Sequence, residues 1–301
     1  MKEHFPKQVF VFGNKMNDVK EYISEAEIIV TFGGDITAEL MKQAHHLKWI
    51  MVMSAGVEKL PFSVIREKGV LVTNARGIHK IPMAEYAISM LLQVYRQARK
   101  LARNQERHTW DQSVRMKEIT GKTLLIAGTG AIGQEVARLA KAFQMKTIGV
   151  SRSGRTVTYF DENDTTDNLN KLLPVADFVI SVLPSTPETK GLFTYEHFQR
   201  MPNHAVFLNM GRGNVVRSET ILKAVQNKEV GHVVLDVFEE EPLPEDHPFW
   251  GEENITVTPH LSGVSSDYML RALEIFEQNL TNYLSENEAD YVNQIDLVKG
   301  Y

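Results

Sequence analysis

The chain contains a glycine-rich turn of a kind that binds phosphate groups. The turn consists of Gly128, Thr129, Gly130, Ala131, Ile132 and Gly133. An apolar run at residues 123–127 precedes it, and residues 134–143 follow with apolar side chains at helical spacing. A strand, a G-x-G-x-x-G turn and a helix in this order form a dinucleotide-binding fingerprint, in which backbone N–H groups approach a pyrophosphate at the positive end of the helix. The sequence therefore predicts a dinucleotide site here, with a tight turn that binds nothing as the alternative.

A basic turn after the next predicted strand bears on which dinucleotide would bind. Enzymes specific for NAD place Asp or Glu about 20 residues beyond the glycine motif. Here the strand at 146–150 is followed by Ser151, Arg152 and Ser153, and no acid stands among them. A guanidinium and two hydroxyls suit the 2′-phosphate of NADP. The turn therefore predicts a preference for NADP(H), with NAD(H) as the second candidate cofactor. The alternative is a basic turn that contacts only solvent.

Two side chains are candidates for acid–base chemistry and for anion binding. His260 follows an apolar strand and a proline, so we expect it at the carboxyl end of a strand, where α/β folds place their sites. The unperturbed pKa of histidine, near 6.5, suits proton transfer at neutral pH. Arg212 lies between Gly211 and Gly213, and its guanidinium can hold a carboxylate by a planar fork. The alternatives are a hydrogen-bonded loop histidine and an exposed loop arginine.

Acidic residues follow another predicted strand. Asp236 ends that strand, and Glu239, Glu240 and Glu241 come shortly after it. A carboxylate beside His260 would favour the imidazolium and fix the tautomer of the ring. Such acidic runs are usually solvated loops, and the residues alone do not choose among the three glutamates.

The elements that position these residues alternate between strands and helices. In the first part of the chain, strands are predicted at 8–12, 27–32, 47–53 and 70–73, with helices at 17–24, 37–44 and 62–68. A long helix is predicted from Pro82 to about Asn104. The later strands are predicted at 123–127, 147–150, 178–183, 205–209, 230–236 and 255–258, with a last helix at 265–284. This rhythm predicts an α/β protein of two doubly wound, Rossmann-like domains, with a cleft between them as the default ligand site.

Composition excludes several classes of function. The chain has 301 residues, long enough for two domains, with 43% hydrophobic residues, 24% charged residues and a net charge of −5. The chain has no excess of basic residues that would predict binding to nucleic acid, and no basic amphipathic stretch that would predict binding to a membrane surface. The absence of cysteine excludes disulfides, thiolate catalysis and cysteine-based zinc sites, and we predict no metal site. With no signal-peptide core and no apolar span, the expected location is cytoplasmic.

Four further motifs occur in a fixed order. They are VLPSTPET at 182–189, NMGRG at 209–213, LDVFEEEPLP at 235–244 and TPHLSG at 258–263. Together with the GTGAIG turn they make the chain resemble the D-isomer-specific 2-hydroxyacid dehydrogenase family over nearly its whole length. The best-matched branch is the glyoxylate/hydroxypyruvate reductase-like one.

The resemblance implies a domain plan. Residues 1–93 and 275–301 would form a flavodoxin-like substrate domain, and residues 94–274 would form the dinucleotide-binding Rossmann domain. The helix from Pro82 and the helix after Ser265 would be the hinges between them. A homodimer is also implied.

The resemblance further implies the roles of individual residues. Arg212, Glu241 and His260 would be catalytic, Glu241 being chosen because it directly precedes Pro242. The substrate would contact Ala55, Gly56, Val57, Arg212 and His260, the first three through backbone N–H groups. Asp236 would face the nicotinamide carboxamide. The full set of expected cofactor contacts is Gly128, Thr129, Gly130, Ala131, Ile132, Gly133, Ser151, Arg152, Ser153, Leu183, Pro184, Thr189, Met210, Gly211, Arg212, Asp236, His260 and Gly263.

The implied activity is the NADPH-linked reduction of a small 2-oxo acid, such as glyoxylate or hydroxypyruvate, to a D-2-hydroxy acid. The alternatives are an NAD-dependent dehydrogenase of another 2-hydroxy acid, a cofactor-sensing corepressor-like binding protein and a dead dehydrogenase. The chain departs from the family pattern at Glu58, where many members have Asp, and in the basic segment with His79 and Lys80. These two residues would either touch the substrate or cap the following helix, and we favour the structural role.

Overall fold

The computed structural model describes residues 1–285 and 290–298. The chain divides into two compact units, one formed by Met1–Ile78 with Ser265–Tyr301 and the other by His79–Val264. We call them the terminal unit and the central unit.

The terminal unit contains a parallel sheet. Its strands, in the order β1-β2-β3, are β1 (Ile28–Thr31), β2 (Trp49–Val52) and β3 (Leu71–Asn74). The connecting helices are α1 (Ala38–Gln43) and α2 (Phe62–Glu67), and a 3-10 helix (Met16–Tyr22) stands where the sequence predicted the first helix. The predicted strand at 8–12 is wrong: that apolar run forms no strand, and Val9 and Phe12 are 92% and 71% exposed.

The central unit is built on a seven-stranded parallel sheet. The strands are β4 (Thr123–Ala127), β5 (Lys146–Ser151), β6 (Glu162–Thr165), β7 (Phe178–Ser181), β8 (Val206–Asn209), β9 (His232–Leu235) and β10 (Ile255–Val257). Their order is β10-β9-β8-β7-β4-β5-β6. The order reverses between β4 and β7, and doubly wound sheets bind ligands outside the carboxyl ends of the strands at such a point.

Helices cover both faces of this sheet. They are α3 (Lys80–Tyr95), α4 (Ala98–Glu106), α5 (Ala131–Ala142), α6 (Leu169–Leu172), α7 (Tyr195–Arg200) and α8 (Ser218–Gln226), with 3-10 helices at Thr166–Asn168, Leu173–Val175, Gly213–Val215 and Pro248–Trp250. Successive strand residues point to opposite faces. Leu124 and Ile126 pack in the core with α3 and α5, whereas Leu125 and Ala127 pack in the core with α7 and α8. Fully buried parallel strands explain the continuous apolar runs in the sequence.

The last helix, α9 (Tyr268–Leu284), belongs to the terminal unit. Its Phe276 ring stacks on the buried Trp49 of β2, with 5.2 Å between ring centroids. The predicted domain boundaries at 93/94 and 274/275 fall inside α3 and α9, whereas the compact units divide at 78/79 and 264/265, before these helices begin. Among the described residues we find no helix that is both long and apolar enough to cross a membrane.

Candidate active site

His260 and Glu241 form an ion pair on two loops of the central unit. The Nδ1 atom of His260 lies 2.7 Å from Oε2 of Glu241. Because a carboxylate only accepts, Nδ1 carries the proton of this bond and Nε2 is left to exchange a proton with a ligand. The two side chains are 53% and 36% exposed, so a small molecule can reach them.

The surroundings of Glu241 keep it ionised. Burial raises the pKa of Glu241. The hydrogen bonds from His260 and from the N–H of Phe238 at 2.9 Å, together with the positive charges of His260 and Arg212, lower it by more. The pKa of Glu241 therefore lies below its usual value. The charge of Arg212 acts on Glu241, so the structure brings together the three residues predicted to be catalytic.

Arg212 lies on the loop that follows β8. Buried Asn209, the last residue of that strand, holds this loop: its Oδ1 accepts from the N–H of Gly211 at 3.2 Å, and its Nδ2 donates to the carbonyl of Arg212 at 3.0 Å. The guanidinium is exposed and donates to the carbonyl of Gly211 at 2.8 Å. No role was predicted for Asn209, although it is the first residue of the NMGRG motif.

Gly213 lets the loops of Arg212 and Glu241 pack together. A Cβ built on Gly213 would lie 1.9 Å from the carbonyl carbon and oxygen of Phe238. No side chain fits there, so the glycine is required for the close approach of the two loops. Arg212 and the Phe238 end of the loop bearing Glu241 are thereby held side by side.

Asp236 and Thr258 organise the loop that bears His260. The buried Oδ1 of Asp236 accepts from the N–H of Leu261 at 2.8 Å, and Oδ2 accepts from the N–H of Ser262 at 2.9 Å. The hydroxyl of Thr258 donates to Oδ1 at 2.6 Å. His260 itself adopts a φ of 55°, in the left-handed region that few non-glycine residues occupy. The expected contact of Asp236 with a nicotinamide stays a prediction.

The glycine-rich turn fits a dinucleotide pyrophosphate. It connects β4 to α5 at the point where the strand order reverses. A Cβ on Gly133 would lie 1.9 Å from the carbonyl oxygen of Gly128, so only glycine allows the turn to close. Gly130, which precedes α5, has open space where a Cβ would point and provides no side chain to cap the helix. The first N–H groups of α5 are thus available to a phosphate.

The basic turn stands at the end of β5, as predicted. The Ser151 hydroxyl accepts from the N–H of Gly154 at 3.2 Å. Arg152 is exposed, and within the described part of the chain its guanidinium makes no hydrogen bond or salt bridge. The nearest acid on the neighbouring strand, Asp164, is paired in register with Val150 and is bonded to Thr165 N–H and Asn168 Nδ2 at 2.7 and 2.8 Å. The turn therefore leaves the exposed Arg152 side chain available to a ligand at the end of β5.

The remaining predicted cofactor residues lie on loops at the carboxyl ends of the strands. Leu183 and Pro184 follow β7, and Thr189 donates to the carbonyl of Pro184 at 2.5 Å. Met210 follows β8. Gly263 lies against His79, whose Nδ1 is 3.4 Å from its carbonyl oxygen.

His79 does not cap α3 with its side chain, contrary to the favoured structural role, although it is the residue before that helix. Lys80 is the first residue of α3.

The predicted substrate loop lies in the terminal unit, after β2. Asn74 Nδ2 donates to the carbonyl of Ala55 at 2.6 Å, and the hydroxyl of Ser54 donates to the carbonyl of Gly56 at 3.0 Å. Glu58 folds over this loop: a Cβ on Gly56 would lie 2.5 Å from its Oε2. Val57 is buried. The contacts of this loop with a substrate stay predictions.

Comparison with known proteins identifies the class. Residues 88–262 match the model of the D-isomer specific 2-hydroxyacid dehydrogenase, NAD binding domain. The chain belongs to this family and is an oxidoreductase of the D-2-hydroxyacid dehydrogenase type.

Individual relatives carry different names. The chain is 31% identical over 290 residues to D-3-phosphoglycerate dehydrogenase of Methanocaldococcus jannaschii, a match that covers 93% of this chain but 55% of that relative. A family protein from Aeromonas salmonicida has a crystal structure with a TM-score of 0.80 and 37% identity, covering 95% of this chain and 90% of that one. The NADPH-dependent glyoxylate/hydroxypyruvate reductase of Sinorhizobium meliloti, solved with NADP and sulfate, gives a TM-score of 0.70 and 29% identity over 91% of this chain and 86% of that one.

Proposed function

We propose that the protein is an NADP(H)-preferring reductase that converts small 2-oxo acids, glyoxylate or hydroxypyruvate among them, to D-2-hydroxy acids. The observation that supports this most directly is the His260–Glu241 pair under the charge of Arg212, on the carboxyl-end loops of a dinucleotide-binding sheet. Reduction of a carbonyl needs an acid for the oxygen and a cation for the neighbouring carboxylate, and these three side chains supply both.

Arg212 would anchor the substrate. Its exposed guanidinium can grip a carboxylate by two parallel hydrogen bonds and polarise the adjacent carbonyl. The backbone N–H groups of Ala55, Gly56 and Val57 would hold the same carboxylate, as the resemblance implies.

His260 would protonate the carbonyl oxygen. With Nδ1 bonded to Glu241, the proton leaves from Nε2. The imidazolium is the form that can donate, and the Glu241 carboxylate accepts the hydrogen bond from its Nδ1. In the oxidation direction the neutral ring would accept the proton from the hydroxyl through the same atom.

The turn at residues 128–133 and the first turn of α5 would hold the pyrophosphate, and Ser151, Arg152 and Ser153 would contact the 2′-phosphate. A bound NADPH supplies the hydride that this chemistry needs. The NADP-bound relative from Sinorhizobium meliloti supports this preference.

Two rival functions keep the same residues. An NAD-linked dehydrogenase of another 2-hydroxy acid is represented by the phosphoglycerate dehydrogenase relative. A cofactor-sensing binding protein can also retain the triad. The proposal also includes a homodimer, which rests on the family resemblance, and a cytoplasmic location, which rests on the sequence. Sedimentation equilibrium would test the homodimer.

A substrate panel tests the proposal. Purified protein is mixed with NADPH and, in turn, glyoxylate, hydroxypyruvate, pyruvate and 3-phosphohydroxypyruvate, and the absorbance of NADPH is followed. The proposal expects turnover with the small unphosphorylated acids. Turnover with the phosphorylated acid alone would favour the dehydrogenase rival, and cofactor binding without turnover of any acid would favour the binding protein.

A further inference from the structure

Tyr86 connects helix α3 to the loop that bears His260. Its hydroxyl lies 2.7 Å from Oγ1 of Thr258, which in turn lies 2.6 Å from Oδ1 of Asp236. Tyr86 and Thr258 are 172 positions apart in the chain. Neither the sequence motifs nor the proposed mechanism gives either hydroxyl a role.

The number of hydroxyl protons decides which group donates in each of these hydrogen bonds. The Asp236 carboxylate can only accept, so the Thr258 hydroxyl donates its one proton to it. The Thr258 oxygen can then only accept from the Tyr86 hydroxyl. Tyr86 is therefore the donor. Burial raises the pKa of Tyr86 and the charge of Asp236 adds to this, outweighing the bond to Thr258, so the phenol keeps its proton.

This series of hydrogen bonds ends at Asp236, which holds the loop that bears His260. Asp236 accepts the N–H groups of Leu261 and Ser262 as well as the Thr258 hydroxyl. Its bonds thus fix the backbone on both sides of His260, whose φ is 55°. A non-glycine residue in that conformation persists only where its surroundings hold it.

We propose that Tyr86 and Thr258 are positioning residues, which hold the loop of His260 through Asp236 so that the imidazole meets both Glu241 and the reacting oxygen. A hydroxyl that accepts one bond donates more strongly, so the bond from Tyr86 strengthens the bond from Thr258 to Asp236. The effect expected on turnover rests on the proposed reductase function, whereas the effect on the loop does not.

The loop is tested first, without any activity. Amide hydrogen exchange at Leu261 and Ser262 is compared in the unaltered protein, Tyr86→Phe, Thr258→Val and Tyr195→Phe. Tyr195→Phe is the matched control, because it removes a hydroxyl that donates to Glu229 at 3.0 Å in the same unit. We expect faster exchange at both amides in the first two variants and unchanged exchange in the control. Equal exchange in all four proteins would overturn the proposal.

Kinetics test the consequence for His260. We expect Tyr86→Phe and Thr258→Val each to lower kcat by about threefold to tenfold, the worth of one hydrogen bond, with the Kd for NADPH unchanged. The double variant should lose little more than Thr258→Val alone, and Thr258→Ser, which keeps the hydroxyl, should recover most of the loss. Additive losses, or a Kd for NADPH that rises with the fall in kcat, would contradict positioning. If the unaltered protein reduces no 2-oxo acid, the proposed function fails, and the exchange result alone decides this inference.

Discussion

At the scale of single residues, the proposed chemistry depends on charged groups that lie apart in the sequence and that the fold brings into contact. Glu241 and His260 stand 19 positions apart and meet at 2.7 Å. The motifs predicted both residues, because each lies in a short stretch typical of the family. Tyr86 could not be predicted in this way, since no local pattern marks a helical tyrosine whose partner lies 172 positions away.

Replacement of His260 by alanine tests the acid. We expect kcat to fall by about 10²–10⁴-fold, the usual worth of general acid catalysis, while fluorescence titration finds NADPH still bound. His45→Ala, at an exposed histidine of the terminal unit, is the control. Turnover close to that of the control would remove His260 from the mechanism.

Replacement of Arg212 by lysine tests the anchor. An ammonium cannot reproduce the planar two-point grip, so we expect kcat/KM to fall by about 10- to 100-fold, the value of one charged hydrogen bond. Arg217→Lys, at an exposed arginine just before α8, should leave kcat/KM unchanged. If Arg212→Lys raises KM only slightly, the carboxylate is held elsewhere.

Glu241 makes the reaction depend on pH in a defined direction. Its pKa is lowered, so it remains a carboxylate, and the pair with His260 persists, until the pH falls below the usual range of glutamate. In Glu241→Gln this titrating group is absent, so the fall of kcat/KM for reduction on the acid side, its acid limb, should move to lower pH. Glu240→Gln changes the neighbouring acid, which makes no bond to His260, and should leave the limb in place. An identical shift in both variants would assign the effect to general charge.

At the scale of elements, the sequence predicted what is periodic and missed what is polar or irregular. The inner strands β4, β7, β8 and β9 of the central sheet are largely buried, so their continuous apolar runs predict them. β6 was missed because it is an edge strand with the polar sequence ENDT, which has no apolar pattern. The helix predicted from Pro82 to Asn104 is broken into α3 and α4 at Gln97, whose φ of 57° no helix can contain. The apolar stripe continues across Gln97, so the spacing of the apolar residues does not predict the break between α3 and α4.

At the scale of the whole molecule, His232 on β9 makes the free energy of unfolding depend on pH. Burial and the charge of Arg99 lower its pKa to about 4, and its Nε2 lies 2.9 Å from Oγ1 of Thr256. The unfolded chain takes up this proton near pH 6.5 and the folded chain only near pH 4. The contribution of His232 to the free energy of unfolding is therefore fully present above about pH 6.5 and falls as the pH drops towards 4, by up to roughly 3–4 kcal/mol.

Urea denaturation across this pH range tests the coupling. In His232→Gln the loss of stability between about pH 6.5 and pH 4 should shrink, whereas His45→Gln, at an exposed position, should follow the unaltered protein. A His232→Gln curve parallel to that of the unaltered protein would show that other groups cause the acid sensitivity.

The measurement that tests the account most directly is the ratio of kcat/KM for NADPH to that for NADH, with glyoxylate or hydroxypyruvate as substrate. In the proposed site Arg152 would attract the 2′-phosphate, and charged hydrogen bonds contribute roughly 1.5–3 kcal/mol, so we predict a preference for NADPH of about tenfold or more. Ser151→Asp with Arg152→Ala removes the attraction and adds a repulsion, and should reverse the ratio by more than Arg152→Ala alone changes it. Equal values for NADH and NADPH in the unaltered protein would contradict the account.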